Sequence, residues 1–130
     1  MHNLEYSIFF SYTIRDGLIN KELLRSFKNN LNSVGIFNTY IDLVDNDYIE
    51  NPQLKVLENL SLSSIVFIID TPYISKSPWV IKELNIAKSL NIPILSISFS
   101  DFQSCAKCKD ITSLYHNPLI TYIINSVLKI

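Results

Sequence analysis

The sequence predicts a three-layer α/β sandwich built on a mostly parallel β-sheet. Short apolar runs alternate with amphipathic stretches along the chain, a rhythm typical of repeated strand–helix units. The apolar runs are continuous rather than alternating, as expected for strands covered by helices on both faces. No internal repeat or linker interrupts the pattern, so residues 1–130 are expected to form one domain.

The apolar runs predict four strands, and a weaker segment predicts a fifth. The four runs lie near residues 6–12, 37–42, 64–70 and 93–99. Segment 100–117 is less regular, and we place a short last strand at Ile111–Tyr115. The expected sheet therefore has about five strands in the flavodoxin-like order 2-1-3-4-5.

Capping residues predict where the helices begin and end. The first helix is expected to begin near Asp16 and to end at Gly35, because glycine readily adopts the left-handed conformation that ends a helix. A second begins at Asn51-Pro52 and a third at Ser77-Pro78, each with proline in its first turn. The apolar tail Pro118–Ile130 is predicted to be a fourth helix that must be docked. Core-facing residues are expected to be Leu23, Phe27, Leu31 and Val34 in the first helix, and Leu54, Leu57 and Leu60 in the second.

The charge balance disfavours two classes of partner. Eleven Lys and Arg residues nearly cancel twelve Asp and Glu residues, so no field of one sign exists to hold nucleic acid or an anionic membrane. No apolar run reaches the roughly 18 residues of a membrane span, and the first residues lack the features of a signal peptide. We expect a cytoplasmic protein without nucleic-acid or membrane partners.

The only two cysteines are spaced like a metal or redox motif. Cys105 and Cys108 are expected in a late polar loop, and His116 supplies at most a third ligand, whereas structural zinc needs four. A redox pair would be expected at a helix start after an early strand. We therefore expect ordinary reduced thiols and no metal.

The third helix carries one charge on its apolar face. At about 100° of rotation per residue, Glu83 falls inside the apolar arc. That arc is formed by Trp79, Val80, Leu84, Ala87 and Leu90. A carboxylate rarely occupies such a face unless it is paired, raised in pKa or lining a cavity. Two interpretations stay open: Glu83 pairs with a basic side chain of another element, or it faces a ligand.

The expected topology places this helix beside a ligand-binding crevice. Open α/β sheets bind ligands beyond the carboxyl ends of the strands, where strand order reverses, here between strands one and three. The expected lining is Ser11, Tyr12 and Thr13 after strand one, and Asp70, Thr71 and Pro72 after strand three. Arg15 and the helix start near Asp16 offer a phosphate contact, although the Asp16 charge opposes one.

These residues resemble the Toll/interleukin-1 receptor (TIR) domains across roughly residues 6–130. The run Ile8-Phe9-Phe10-Ser11-Tyr12 is similar to the family's opening box, and Tyr40-Ile41-Asp42 resembles its second strand before the BB loop. Ser64 through Ile69 matches the third strand. The most specific element is Ser77–Leu84, which resembles the S-x-W-x-x-x-E segment of NAD-cleaving members.

The resemblance implies NAD as substrate, no metal, and Glu83 as the catalytic residue that binds the ribose beside nicotinamide. Its carboxylate would stabilise the oxocarbenium-like charge as the bond breaks. The implied substrate-binding residues are Phe10, Ser11, Tyr12, Arg15, Asp42 and Trp79, with Tyr12 and Trp79 as aromatic walls and Arg15 at a phosphate. The product would be ADP-ribose, a cyclic isomer or a conjugate.

The resemblance is closest to stand-alone prokaryotic TIR proteins of anti-phage defence. It implies a homo-oligomer formed through TIR–TIR contacts and a separate effector protein that senses the product. Two features depart from the family: segment 43–51 is acidic and lacks the usual glycine, and Asp70 ends strand three where serine is common.

Three other functions remain open. A receiver domain would also place an acceptor such as Asp70 after strand three, but Ser11-Tyr12-Thr13 stand where it needs an acidic pair. A nucleoside deoxyribosyltransferase would use a related sheet and a helix-borne glutamate. A non-enzymatic TIR adaptor would act through self-association alone, and Trp79 and Glu83 together favour the enzyme over it.

Overall fold

A computed structural model describes residues 6–45 and 52–130, which form a parallel sheet between two layers of helices. All strand pairs are parallel, and their order is β2-β1-β3-β4. The strands are β1 (Ile8–Ser11), β2 (Thr39–Tyr40), β3 (Ile65–Asp70) and β4 (Ile94–Ser98). The predicted flavodoxin-like α/β sandwich is confirmed, with four strands in the described residues.

Seven helices and one short 3₁₀ turn are described. The helices are α1 (Lys21–Ser33), α2 (Asp42–Asp45), α3 (Pro52–Ser61), α4 (Pro78–Ser89), α5 (Phe99–Lys107), α6 (Ile111–Tyr115) and α7 (Pro118–Leu128), and the 3₁₀ turn is Ile74–Lys76. Helix α5 packs against α1 and α7 on one face of the sheet, while α3 packs against α4 on the other. None of the described helices is long and apolar enough to cross a membrane.

Alternate residues of β1 supply the two halves of the core. Because successive strand side chains point to opposite faces, Phe9 joins one buried cluster and Phe10 the other. On the α1 face, Phe10 meets Phe27 edge-on with ring centroids 5.2 Å apart, and Phe27 meets Phe102 at 4.8 Å. The buried residues of the α3–α4 face are Phe9, Tyr40, Val56, Leu60, Val66 and Ala87. Helix α7 is docked as predicted, with Leu119, Ile120 and Ile123 buried.

The predicted fifth strand is wrong, because Ile111–Tyr115 forms helix α6 instead. The Asp110 side chain accepts hydrogen bonds from the backbone N–H and the hydroxyl of Ser113, which caps the first turn. Ile111 is exposed and Leu114 is buried, so this short helix contributes one apolar side chain to the core. In the described residues the sheet therefore ends at β4.

The first helix begins five residues later than predicted, at Lys21. Asp16 does not cap it, because its Oδ2 accepts a hydrogen bond from the backbone N–H of Tyr73. Gly17 then adopts a left-handed φ of +74°, and Asn20 caps the helix by accepting from the N–H of Leu23. Gly35 follows the helix with a φ of +88°, as predicted. The buried residues of α1 are Leu24, Phe27 and Leu31, with Leu23 and Val34 half-buried.

Two predicted apolar faces need correction. In α3, Val56 and Leu60 are buried whereas Leu54 is exposed, because positions four apart define the face that meets the sheet. Leu90 is 48% exposed, since α4 ends at Ser89 and Asn91 follows with a φ of +59°. The predicted start at Asn51 and the acidic segment 46–51 lie outside the described residues.

Cys105 lies within α5 rather than in a loop. Both thiols are free, and burial raises the pKa of Cys105 to about 12. The Asn30 side chain donates to the carbonyls of Cys105 and Cys108, which anchors the end of α5 to α1. Within residues 6–45 and 52–130, His116 and the cysteines belong to no cluster of possible metal ligands. Cys105 is therefore a core residue.

Candidate functional site

A cleft of about 200 Å³ opens beyond the carboxyl end of β1, where the strand order reverses. Its walls come from the segment after β1, from α2 and from the start of α4. The lining residues are Phe10, Tyr12, Thr13, Ile14, Arg15, Asp42, Leu43, Ser77, Trp79 and Glu83. The cleft is smaller than the roughly 300–1,000 Å³ of drug-sized ligand sites, so it suits a ring and a sugar.

Glu83 is the buried carboxylate of this cleft. Ser77 caps α4 by accepting a hydrogen bond from the N–H of Val80, and this start directs Val80, Glu83 and Ala87 toward the sheet. Glu83 is 4% exposed, and its Oε1 accepts a 2.9 Å hydrogen bond from the hydroxyl of Ser11. None of the basic side chains in the described residues forms an ion pair with it. Within the described part of the chain, no cation therefore compensates the charge of Glu83.

The surroundings of Glu83 favour its protonated form. The pKa of Glu83 is raised to about 8; burial is the largest cause, and the charge of Asp42 acts in the same direction. Hydrogen bonds from the Ser11 hydroxyl and the Trp79 side chain act in the opposite direction. Glu83 is thus a carboxyl group that gains or loses its proton near neutral pH, which is typical of functional carboxyl groups.

Two tyrosines hold the opposite wall in place. The Tyr12 hydroxyl accepts a 2.8 Å hydrogen bond from the backbone N–H of Leu43, and the Tyr40 hydroxyl donates to Oδ1 of Asp42 over 3.2 Å. Burial raises the pKa of both tyrosines, with a further contribution from the Asp42 charge. Both phenols therefore stay protonated across the physiological range. Their bonds fix Asp42 and Leu43 beside the cleft.

Arg15 and Trp79 form the outer rim. The Arg15 guanidinium donates to the Tyr73 hydroxyl over 3.3 Å and lies 5.8 Å from the centre of that ring. Trp79 is half-buried, and the Lys82 ammonium lies 5.2 Å from its ring centre. The rim thus combines an exposed cation, which suits a phosphate, with a flat aromatic surface.

Six of the seven predicted site residues line the cleft: Phe10, Tyr12, Arg15, Asp42, Trp79 and Glu83. Ser11 lies behind Glu83 and contacts it directly. The residues expected after strand three behave differently, because Asp70 is exposed, Thr71 is buried, and neither they nor Pro72 line the cleft. Sequence reasoning missed Leu43, which follows the predicted Asp42, and Tyr40, whose hydroxyl bonds to Asp42.

Sequence comparison adds no further residue to the site: no protein-family model matches the chain, and no curated protein matches it at a significant level. The proposed function therefore rests on the side chains of the cleft and on the distances between them. They bring together one titrating carboxyl group, flat aromatic walls and a cation at the rim. Such a set can bind a sugar between a planar base and a phosphate and can stabilise positive charge on that sugar.

Proposed function

We propose that the protein is a TIR-type enzyme that cleaves the bond between nicotinamide and ribose in NAD, acting as a glycohydrolase or an ADP-ribosyl cyclase. The observation that carries the proposal is the placement of Glu83. Its carboxyl group is buried, faces a cleft at the reversal of strand order, and has no basic partner among the described residues. The S-x-W-x-x-x-E spacing of Ser77, Trp79 and Glu83 supports the same assignment.

Glu83 would act on the charge that develops as the bond breaks. The bond between ribose C1′ and the nicotinamide nitrogen breaks heterolytically, and nicotinamide leaves as a neutral ring with the bonding electrons. Positive charge then spreads over C1′ and the ring oxygen, and an adjacent ionised carboxylate stabilises it. Because the bound nicotinamide ring is itself cationic, substrate binding favours the ionised form of Glu83.

The other residues of the cleft would orient the dinucleotide. Tyr12 and Trp79 offer flat surfaces for nicotinamide, while Arg15 at the rim offers a guanidinium to the pyrophosphate. A volume of about 200 Å³ suits the nicotinamide riboside half, so the adenosine half would extend over the opening.

The acceptor of the ribosyl group sets the product. Water yields ADP-ribose, an internal hydroxyl or ring nitrogen yields a cyclic isomer, and an added nucleophile yields a conjugate. We further propose a cytoplasmic role in anti-phage signalling, with homo-oligomers formed through TIR–TIR contacts and a separate effector that senses the nucleotide product. The cleft argues for the enzyme over a non-enzymatic TIR adaptor, because self-association needs no buried carboxylate.

The experiment is to incubate the purified protein at high concentration with NAD and to measure nicotinamide release. The variants Glu83→Ala and Glu83→Gln are expected to lose activity at least about 100-fold. Glu58→Gln, the same change at an exposed position of α3, is the matched control and should leave the rate unchanged. Equal rates for wild type and Glu83→Gln would overturn the assignment. Intact NAD, combined with concentration-dependent self-association, would favour the adaptor.

A further inference from the structure

The contact between Ser11 and Glu83 links the end of β1 to the middle of α4. The two residues are 72 positions apart, and the Ser11 hydroxyl donates to Glu83 Oε1 over 2.9 Å in a buried environment. Ser11 is the last residue of β1, and its backbone is held in register with Ile68 of β3. The donor therefore stands on a hydrogen-bonded strand of the sheet rather than on a loop.

We propose that Ser11 is a positioning residue, which holds one oxygen of Glu83 so that the other faces the substrate. The inference rests on the proposed function, and it assigns Ser11 a support role rather than a substrate contact. Ser11 is 1% exposed and does not line the cleft, whereas Glu83 does. A carboxylate has about four acceptor sites on its two oxygens, so the contacts from Ser11 and Trp79 leave further sites for a ligand in the cleft.

The same hydrogen bond favours the ionised form of Glu83. A donor to a carboxylate stabilises its charge, and this contribution opposes burial and the charge of Asp42. The Trp79 side chain acts in the same direction as Ser11, and Arg15 is the cation that lines the cleft.

The neighbouring phenols have other hydrogen-bond partners. The Tyr12 oxygen accepts from Leu43, and the Tyr40 hydroxyl donates to Asp42. Ser11 is thus the hydroxyl that donates to Glu83 from the sheet. Its removal should shift the titration of Glu83 toward higher pH.

The test is a carboxyl-carbon NMR titration of Glu83, whose resonance is assigned by its loss in Glu83→Gln. In Ser11→Ala the midpoint is expected to rise by about one pH unit, since a hydrogen bond to a charged group is typically worth about that much. Ser11→Thr keeps a hydroxyl and should restore the wild-type midpoint. Ser63→Ala removes another buried hydroxyl, which bonds to Asn59 far from the cleft, and should leave the midpoint unchanged. Ser11→Cys, a weaker donor of similar size, replaces Ser11→Ala if the alanine variant does not fold.

Nicotinamide release provides the second measurement. At pH 7, kcat/KM of Ser11→Ala should fall about tenfold and then approach the wild-type value above pH 9, a pattern that a general loss of stability does not produce. An unchanged Glu83 midpoint in Ser11→Ala would overturn the positioning role. A wild-type protein that releases no nicotinamide would contradict the proposed function while the titration still tests the contact.

Discussion

The hydroxyl of Tyr12 accepts a hydrogen bond from the backbone N–H of Leu43 across 2.8 Å. This contact joins the segment after β1 to helix α2, two parts of the chain 31 residues apart. Asp42 precedes Leu43 and lines the cleft beside Tyr12. One phenol therefore both forms a wall of the cleft and anchors the opposite wall.

Tyr12→Phe should weaken this wall while keeping the aromatic ring. The change leaves the Leu43 N–H without its acceptor, and we expect the free energy of unfolding to fall by about 1–2 kcal/mol. The KM for NAD should rise because the wall can shift, and kcat should change less because Glu83 keeps its Ser11 contact. Urea unfolding and nicotinamide-release kinetics provide the measurements. The matched control is Tyr115→Phe, at an exposed position of α6, and equal effects of the two changes would refute the anchoring role.

Most of the sheet and of the cleft could be predicted from the sequence. Continuous apolar runs rich in β-branched residues, such as Ile65–Ile69, favour a strand buried on both faces. General rules for open α/β sheets then predicted the order of the four strands and the point where it reverses. The inward phase of Glu83 was predictable because the rotation of an α-helix per residue is fixed. Its burial confirms the predicted phase.

The errors occur where a distant contact or a local helix cap overrides the pattern of residue types. Asp16 is a good helix cap by its residue type, but the N–H of Tyr73 engages it instead. The hydrogen bonds from Ser11 to Glu83 and from Leu43 to Tyr12 join residues far apart in the chain, and a single sequence does not pair them. Segment Ile111–Tyr115 is short enough that the Asp110 cap outweighs its strand-like composition.

Phe27→Ala should be among the most damaging core changes. Phe27 is fully buried between Phe10 and Phe102, so its removal leaves a cavity that rigid neighbouring rings fill poorly. We expect a loss of about 3–5 kcal/mol in the free energy of unfolding, measured by urea denaturation. Phe37→Ala is the control, because that ring is 66% exposed and its loss should stay within about 0.5 kcal/mol. Similar losses for both variants would contradict the packing described.

Glu83→Gln should change how stability depends on pH. The pKa of Glu83 is raised to about 8 in the folded protein from its ordinary 4.5, so the folded state binds more protons between those two values. The stability contributed by this group therefore decreases as pH rises from about 4.5 to 8, by on the order of 5 kcal/mol. Glutamine does not titrate, so the free energy of unfolding of Glu83→Gln should increase relative to that of the wild type as pH rises. Urea denaturation from pH 5 to 9 measures the difference, and parallel curves would show that the pKa of Glu83 is not raised.

The pH dependence of catalysis should show which form of Glu83 is active. If the ionised carboxylate stabilises the oxocarbenium-like charge, kcat/KM rises with pH to a plateau, with a midpoint near the pKa of about 8 in the free enzyme. Tyr12 and Tyr40 should not cause a second change in kcat/KM with pH, because burial raises their pKa values above this range. The midpoint for kcat should be lower, since the cationic nicotinamide ring favours ionisation in the complex. Nicotinamide release from pH 6 to 9.5, corrected at each pH for NAD breakdown without protein, is the measurement. A rate that falls as pH rises would instead identify the protonated carboxyl group as the active form and would exclude simple charge stabilisation by Glu83.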